Sequence, residues 1–292
     1  MKPLRILVMS VGDARENGTV NFFNKIGVVD KLIVCLPKTS EKFADGYERM
    51  GAGVFIYDQH KYINDEFEFF GFKPRNCGGV GRQGIAEAVE KYGGGDTILL
   101  QLDDDTASLM LDKRKMSFGQ LEYFANICDW FYENCRIFIG ARTGATPVFA
   151  DTGAFTNRKV FNNFIMRKGE RLNFDGFKAL ASDDYRFEIH RCLFDRVAFL
   201  SVRDVMITFK KSQGSRKDGN APLYNSDYSW KKAYALMMTA PWFARLRCKM
   251  MDGRFIFLEF LEMSKFVPKI LLTDENGTPV GEFSIKDDDE MV

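Results

Sequence analysis

The sequence predicts an α/β protein, with a mostly parallel sheet between flanking helices and a C-terminal extension of helices and a β-hairpin. Three observations predict it. Short apolar runs near the N-terminus alternate with stretches of helical periodicity; one apolar run of strand length ends in three consecutive aspartates; and an Asn-Gly pair separates two late apolar runs. With 292 residues, 46 % of them hydrophobic, the chain can bury a large core.

Residues 4–10, closed by Gly12, and 31–36, closed by Pro37, read as parallel strands, and 54–57 as a third. Between them Val20, Phe23 and Ile26 recur at helical spacing over 19–26, and a helix over 40–50 starts with Ser40 as its N-cap and stops at Gly51. This alternation predicts βαβ units and a ligand at the carboxyl ends of the strands. Gly78-Gly79-Val80-Gly81-Arg82-Gln83-Gly84 opens a helix running to Tyr92, with Ile85, Ala86 and Val89 at helical intervals. A glycine-rich start brings backbone N–H groups close to an anion, and Arg82 adds a charge. The glycines do not follow a strand at the spacing of a dinucleotide-binding fingerprint. Gly93-Gly94-Gly95 then breaks the helix.

Residues 97–102 form the next strand, apolar enough at Ile98, Leu99, Leu100 and Leu102 to be buried on both faces. It delivers Asp103-Asp104-Asp105 to its own carboxyl end. Three neighbouring carboxylates repel one another and call for a cation. Magnesium or manganese suits them, because such ions take one or two protein carboxylates and fill their other positions with phosphate and water. A solvated acidic turn is the plain alternative.

Further along, 117–132 reads as a helix, 136–140 as a strand, and 151–161 as a small-residue turn leading into a helix. In 181–191, Ser182 or Asp183 can cap a helix whose first turn points an Asp into a cleft. Strands follow at 197–202 and 205–209, then a basic loop over 210–220, helices at 229–238 and 242–251 separated by Pro241, and a hairpin joining 270–273 to 280–285 through Asn276-Gly277. The acidic tail over 287–290 reads as disordered, and no internal repeat or low-complexity linker is found.

The net charge of +1 is unevenly spread: residues 203–254 hold eleven Lys or Arg against four Asp, leaving −6 for the rest. Aromatic residues are interleaved there, including Phe209, Tyr224, Trp230 and Trp242, a mixture suited to an anionic or nucleic-acid partner or to an ordinary solvated surface. The six cysteines show no Cys-x-x-Cys spacing and read as buried thiols. With two histidines in the chain, His60 and His190, a histidine-based zinc centre is not expected and a general base is expected to be a carboxylate. The apolar run 6–9 is too short for a signal-peptide core or a membrane span, so a cytoplasmic protein with no membrane partner is expected.

The order of these parts resembles the GT-A family of nucleotide-sugar glycosyltransferases. The resemblance is carried by the N-terminal βαβ series, the Gly-Arg-Gln helix start, the strand ending in Asp103-Asp104-Asp105, the stretch from Gly153 to Phe161, and Asp183-Asp184-Tyr185 followed by Arg191. Within that family it looks most like the phage and fungal enzymes that modify hydroxymethylated pyrimidines in DNA. For a phage-encoded chain the location implied is the host cytoplasm. The resemblance implies a GT-A-like nucleotide-sugar-binding and catalytic domain over 1–210, with 211–292 completing the acceptor side. It further implies a nucleotide-diphospho-sugar donor, Mn2+ or Mg2+ on Asp105, and Asp103 on the ribose or on the metal, with the part of Asp104 left open. Arg82 would support the nucleotide or phosphate, and Asp13 or Asp58 would meet the base or ribose. Asp183 or Asp184 would take the acceptor proton if configuration is inverted, or orient the sugar if it is retained. Lys210, Lys211, Arg216, Lys217 and Trp230 would meet the leaving group or the acceptor. Many family members add a histidine ligand after the position of Asp183-Asp184, and no histidine follows His190 here. A sugar-phosphate nucleotidyltransferase and a non-enzymatic nucleic-acid-binding protein are the alternatives.

Overall fold

Two sheets share one core, and the chain passes from the first to the second through the three aspartates. The computed structural model describes residues 1–62, 78–135, 137–143, 155–156, 165–166, 198–209, 231, 234, 244–251, 254–261, 270–273 and 279–283. In chain order the elements are β1 (Leu4–Met9), α1 (Gly18–Lys25), β2 (Leu32–Pro37), α2 (Ala44–Arg49), β3 (Gly53–Tyr57), α3 (Gly78–Tyr92), β4 (Ile98–Asp103), β5 (Thr106–Leu111), β6 (Arg114–Lys115) and α4 (Phe118–Cys135). They continue with β7 (Ile137–Thr143), β8 (Phe155–Thr156), β9 (Ile165–Met166), β10 (Ala198–Phe209), β11 (Ala244–Met251), β12 (Arg254–Leu261), β13 (Ile270–Thr273) and β14 (Pro279–Phe283).

The first sheet has the order β3-β2-β1-β4-β9. Its first four strands are parallel, and β9 closes the β4 edge antiparallel. All of β2 and all of β4 except Asp103 are buried, as expected for strands covered on both faces. One face presents Leu4, Ile6 and Val8 of β1 with Ile98, Leu100 and Leu102 of β4, and α1 adds Val20 and Phe23 to that cluster. The alternate face meets α3. A Cβ on Gly81 would stand 2.9 Å from Met9 Sδ, and one on Gly84 would stand 2.4 Å from the Tyr57 ring. The glycines therefore lie inside the helix and let it approach the sheet. The helix starts at Gly78 as expected, and the missing side chains of Gly81 and Gly84 are used by packing rather than by the approach to an anion.

The second sheet has the order β6-β5-β10-β7, with β8 on β10. Strand β10 runs antiparallel to β5 and parallel to β7. Leu109, Ile137, Ile139, Val205 and Ile207 belong to the same core cluster as the first sheet. Helix α4 starts on a reciprocal cap, Gln120 N donating to Ser117 Oγ at 3.3 Å and Ser117 N to Gln120 Oε1 at 2.9 Å.

Several elements differ from the sequence reading. Residues 198–209 are one strand rather than two, because a register slip between Val202 and Met206 absorbs the polar interruption at Arg203-Asp204. The strand pair β5–β6 was not expected; its turn runs through Asp112 (φ 45°) and Lys113 (φ 63°), which lack the glycine that usually marks such turns. Residues 244–251, expected to be helical, form β11 and pair antiparallel with β12. Ala-Arg-Leu-Arg-Cys-Lys-Met alternates with period two, and Asp252-Gly253 follows it, which is hairpin chemistry. Ser40 caps no helix: it lies in a 3-10 turn (Lys38–Phe43) and donates its hydroxyl to Val11 O at 2.9 Å. Phe155–Thr156, expected in a turn leading to a helix, is a strand on β10. The rest of 151–161, apart from that pair, and all of 181–191 lie outside the described residues. The expected late hairpin is present as β13–β14. Cys35 and Cys128 are buried, whereas Cys135 is exposed, against the expectation of buried thiols. No described helix is long and apolar enough to cross a membrane.

Two glycines give opposite expectations. Gly84→Ala forces a methyl into the Tyr57 ring and should cost about 1–3 kcal/mol. Gly119→Ala in α4 meets nothing within 4 Å and should gain about 0.5–1 kcal/mol. Urea unfolding of the two variants beside the unaltered chain checks both signs.

Candidate functional site

In the order β3-β2-β1-β4 the chain steps from β1 to β2 on one side and later returns to add β4 on the other. Such a reversal leaves a crevice at the carboxyl ends of the two central strands, where α/β sheets bind ligands. Met9 and Asp103 are register partners at those ends. The acidic turn thus stands at the reversal.

Helix α1 holds the turn in place. Gly18 N and Thr19 N both donate to Asp104 O, at 2.7 and 3.2 Å. The Thr19 hydroxyl donates to Asp103 O and accepts from Thr106 N at 3.1 Å, and the Thr106 hydroxyl donates to Asp103 O at 3.3 Å. Asn17 is the N-cap, its Oδ1 accepting from Val20 N at 2.9 Å. The first three N–H groups of α1 are therefore already engaged. At a sheet reversal a helix N-terminus ordinarily offers those groups to a phosphate; here they are given to the protein's own turn.

A buried polar cluster lies behind it. Asp104 Oδ2 accepts from Ser10 Oγ at 3.4 Å, and Ser10 Oγ lies 3.0 Å from the Tyr47 hydroxyl. That hydroxyl donates to Gly12 O at 2.8 Å and accepts from Asn17 Nδ2 at 3.3 Å. Tyr47 is wholly buried. Burial pushes its phenol up, opposed by the bonds to Ser10 and Asn17, while the charges of Asp104 and Asp13 add to the push. It stays protonated and able to donate. Sequence reasoning did not single out Ser10, Asn17, Thr19 or Tyr47. Asn17 just ahead of a helical stretch is an N-cap pattern that could have been found; nothing local marks Tyr47.

Among the residues expected at the site, Asp105 is buried and Asp103 and Asp104 are partly exposed. Arg82, 5 % exposed, follows Gly81, the residue that seats α3 on Met9, so its helix turn reaches the same end of the sheet as Asp103. Asp13 lies in the β1–α1 connector, gripped by Arg15 through Nε to Oδ1 at 3.1 Å and Nη2 to Oδ2 at 2.9 Å. Asp58 follows β3, and its Oδ1 accepts from His60 N at 3.1 Å. Three strand spacings separate β3 from β4, roughly 14 Å, so Asp58 belongs to the far end of any ligand laid along this edge. Asp183, Asp184, Lys210, Lys211, Arg216, Lys217 and Trp230 lie outside the described residues.

Among the described residues no three His, Cys, Asp or Glu side chains form a group able to hold a metal ion. The carboxylates of Asp103 and Asp105 are hard oxygen donors, and two of them suffice for an ion whose remaining positions are phosphate and water. The donor set fits magnesium or manganese. A separate cavity of about 580 Å³, bordered by Leu111, Met116, Phe124, Ile127, Ile139 and Val205, has no charged residue in its lining and none from the acidic turn.

No family model matches the chain, and no curated protein matches it. Among solved structures it is similar to glucosyl-3-phosphoglycerate synthase from Mycobacterium tuberculosis in complex with Mg2+ and UDP, at 11 % identity and TM-score 0.44 over 89 % of this chain and 88 % of that one. The same synthase in complex with Mn2+, UDP-glucose and phosphoglyceric acid gives 10 % identity and TM-score 0.45 over 90 % and 91 %.

The Arg15 guanidinium, with a further bond from the Arg15 backbone N–H, holds the Asp13 carboxyl down from 3.8 to about 2. A depressed folded value means that the pair stabilises the fold above pH 3.8 and loses that contribution as pH falls towards about 2. Carboxyl-carbon NMR should find the Asp13 midpoint near 2 and, in Arg15→Ala, raised from there but still below 3.8, because the backbone N–H of residue 15 remains. An unmoved midpoint in the variant would remove Arg15 as the cause.

Proposed function

We propose that this chain is a metal-dependent glycosyltransferase that moves a sugar from a nucleotide-diphospho-sugar to an acceptor hydroxyl. The observation that supports the reading best is the acidic turn, set at the sheet reversal with the α1 N-terminus already occupied by Asp104 O. A diphosphate brought there meets carboxylates rather than free N–H groups. Each pair of like charges at 4 Å costs about 4 kcal/mol at an effective dielectric near 20, so a divalent cation between the two sets of oxygens is the economical solution.

In this reading Asp105 and Asp103 hold Mn2+ or Mg2+, which when bound supplies Lewis-acid stabilisation to the departing diphosphate. Arg82 lends its charge to the nucleotide or phosphate from the buried turn of α3. Asp13 and Asp58, further along the same edge, stand where base and ribose would lie. Asp183 or Asp184 receives the acceptor proton if the reaction inverts, and orients the sugar if it retains. The acceptor proposed is a hydroxymethylated pyrimidine in DNA, met by the basic and aromatic residues of 203–254, including Lys210, Lys211, Arg216, Lys217 and Trp230.

The test is mass spectrometry of hydroxymethylcytosine DNA incubated with the protein, Mn2+ and a panel of nucleotide sugars. One added hexose or pentose is expected. The product should vanish in EDTA and fall about a hundredfold or more in Asp105→Asn, compared at a temperature where circular dichroism shows the variant folded. Full product in EDTA or in Asp105→Asn overturns the metal role. Release of diphosphate from a nucleoside triphosphate with a sugar phosphate would instead indicate a nucleotidyltransferase.

A further inference from the structure

We infer that Tyr47 is a positioning residue for the acidic turn and sets how tightly the turn takes a divalent cation with a nucleoside diphosphate; the ligand part of this inference rests on the functional reading above. Tyr47 lies on α2, remote in sequence from the turn, and its hydroxyl is the point where two separate ties to the turn meet. One tie runs through Ser10, whose Oγ donates to the Asp104 carboxylate at 3.4 Å and accepts, at 3.0 Å, a share of the single Tyr47 proton that also reaches Gly12 O. The other runs through Asn17, whose amide donates to the hydroxyl at 3.3 Å while its Oδ1 caps α1. Helix α1 in turn holds the Asp104 carbonyl through Gly18 N and Thr19 N. A third bond, to Gly12 O at 2.8 Å, fixes the β1–α1 connector that carries Asp13.

Removing one oxygen therefore loosens the side chain and the backbone of Asp104 together. Because Tyr47 is wholly buried, no water replaces the lost partner without entering the core. Carboxylates that must converge on one ion lose affinity when their backbone is free to shift.

The experiment compares Tyr47→Phe and Ser10→Ala with the unaltered chain in two measurements. Amide hydrogen exchange, without ligand, follows Gly18 and Thr19, with Ile85 and Val89 of α3 as reference; calorimetric titration follows UDP binding in the presence of Mn2+. In Tyr47→Phe, exchange at Gly18 and Thr19 should speed up about tenfold or more relative to α3, and the Kd for UDP with Mn2+ should rise about tenfold. Ser10→Ala keeps the bonds to Gly12 and Asn17 and should shift both readings less. Unchanged protection at Gly18 and Thr19, or an equal acceleration across α1 and α3, overturns the positioning role, as does an unchanged Kd. An unaltered chain that binds neither UDP nor any of the adenosine, guanosine, cytidine and thymidine diphosphates with Mn2+ overturns the functional reading and the ligand part with it, while the exchange data still decide whether Tyr47 holds the turn.

Discussion

The hydrogen bonds from Gly18 N and Thr19 N to the carbonyl of Asp104 are the constraint on which the site depends. They convert the positive end of α1 from a place for an external anion into a clamp on the protein's own acids. A helix N-terminus stabilises nearby negative charge by about 0.3–1 kcal/mol per group, which partly offsets the repulsion among three adjacent carboxylates. The remainder of that repulsion is what a bound cation would relieve. Structure and proposed chemistry thus meet in one turn of chain.

The same turn is the junction of the two sheets. Strand β4 ends at Asp103 in the first sheet and β5 begins at Thr106 in the second, so only Asp104 and Asp105 separate them. Thr19 bridges the junction, its hydroxyl donating to Asp103 O and accepting from Thr106 N. On the opposite face α3 lies close because Gly81 and Gly84 carry no side chain, and that closeness is what brings the buried Arg82 to the edge. The site is therefore built by packing against both faces of one sheet. Its supporting residues come from β1, α1, α2, α3 and β4, spread over about a hundred positions of sequence.

The first half of the fold was readable in the sequence because buried parallel strands and amphipathic helices write their periods locally. The runs at 4–9, 32–37 and 98–103 have almost no polar residues, and α1 repeats its apolar positions at helical spacing. The reading failed where a local signal competed with another. Residues 242–251 were read as a helix separated by Pro241 from the one before it, although the alternation over 244–250 and the following Asp-Gly pair favour a strand. The helix over 78–92 was read with its bounds, but the use of its glycines was not: Gly81 and Gly84 serve packing against Met9 and Tyr57, contacts that no local pattern records. Of the candidate site, the acidic turn and Arg82 were legible as residue types at an apolar strand end and a helix start. Tyr47 was not, since its role arises from a contact with Ser10 across 37 residues, which no local pattern records.

The most direct measurement is the anomalous scattering of manganese in crystals grown with Mn2+ and a nucleoside diphosphate. The account predicts one strong peak in the β1–β4 crevice, with carboxylate oxygens of Asp103 or Asp105 and phosphate oxygens of the nucleotide as its nearest neighbours. A manganese peak away from that crevice, or a nucleotide seated in it with both carboxylates turned from the ion, would contradict the account.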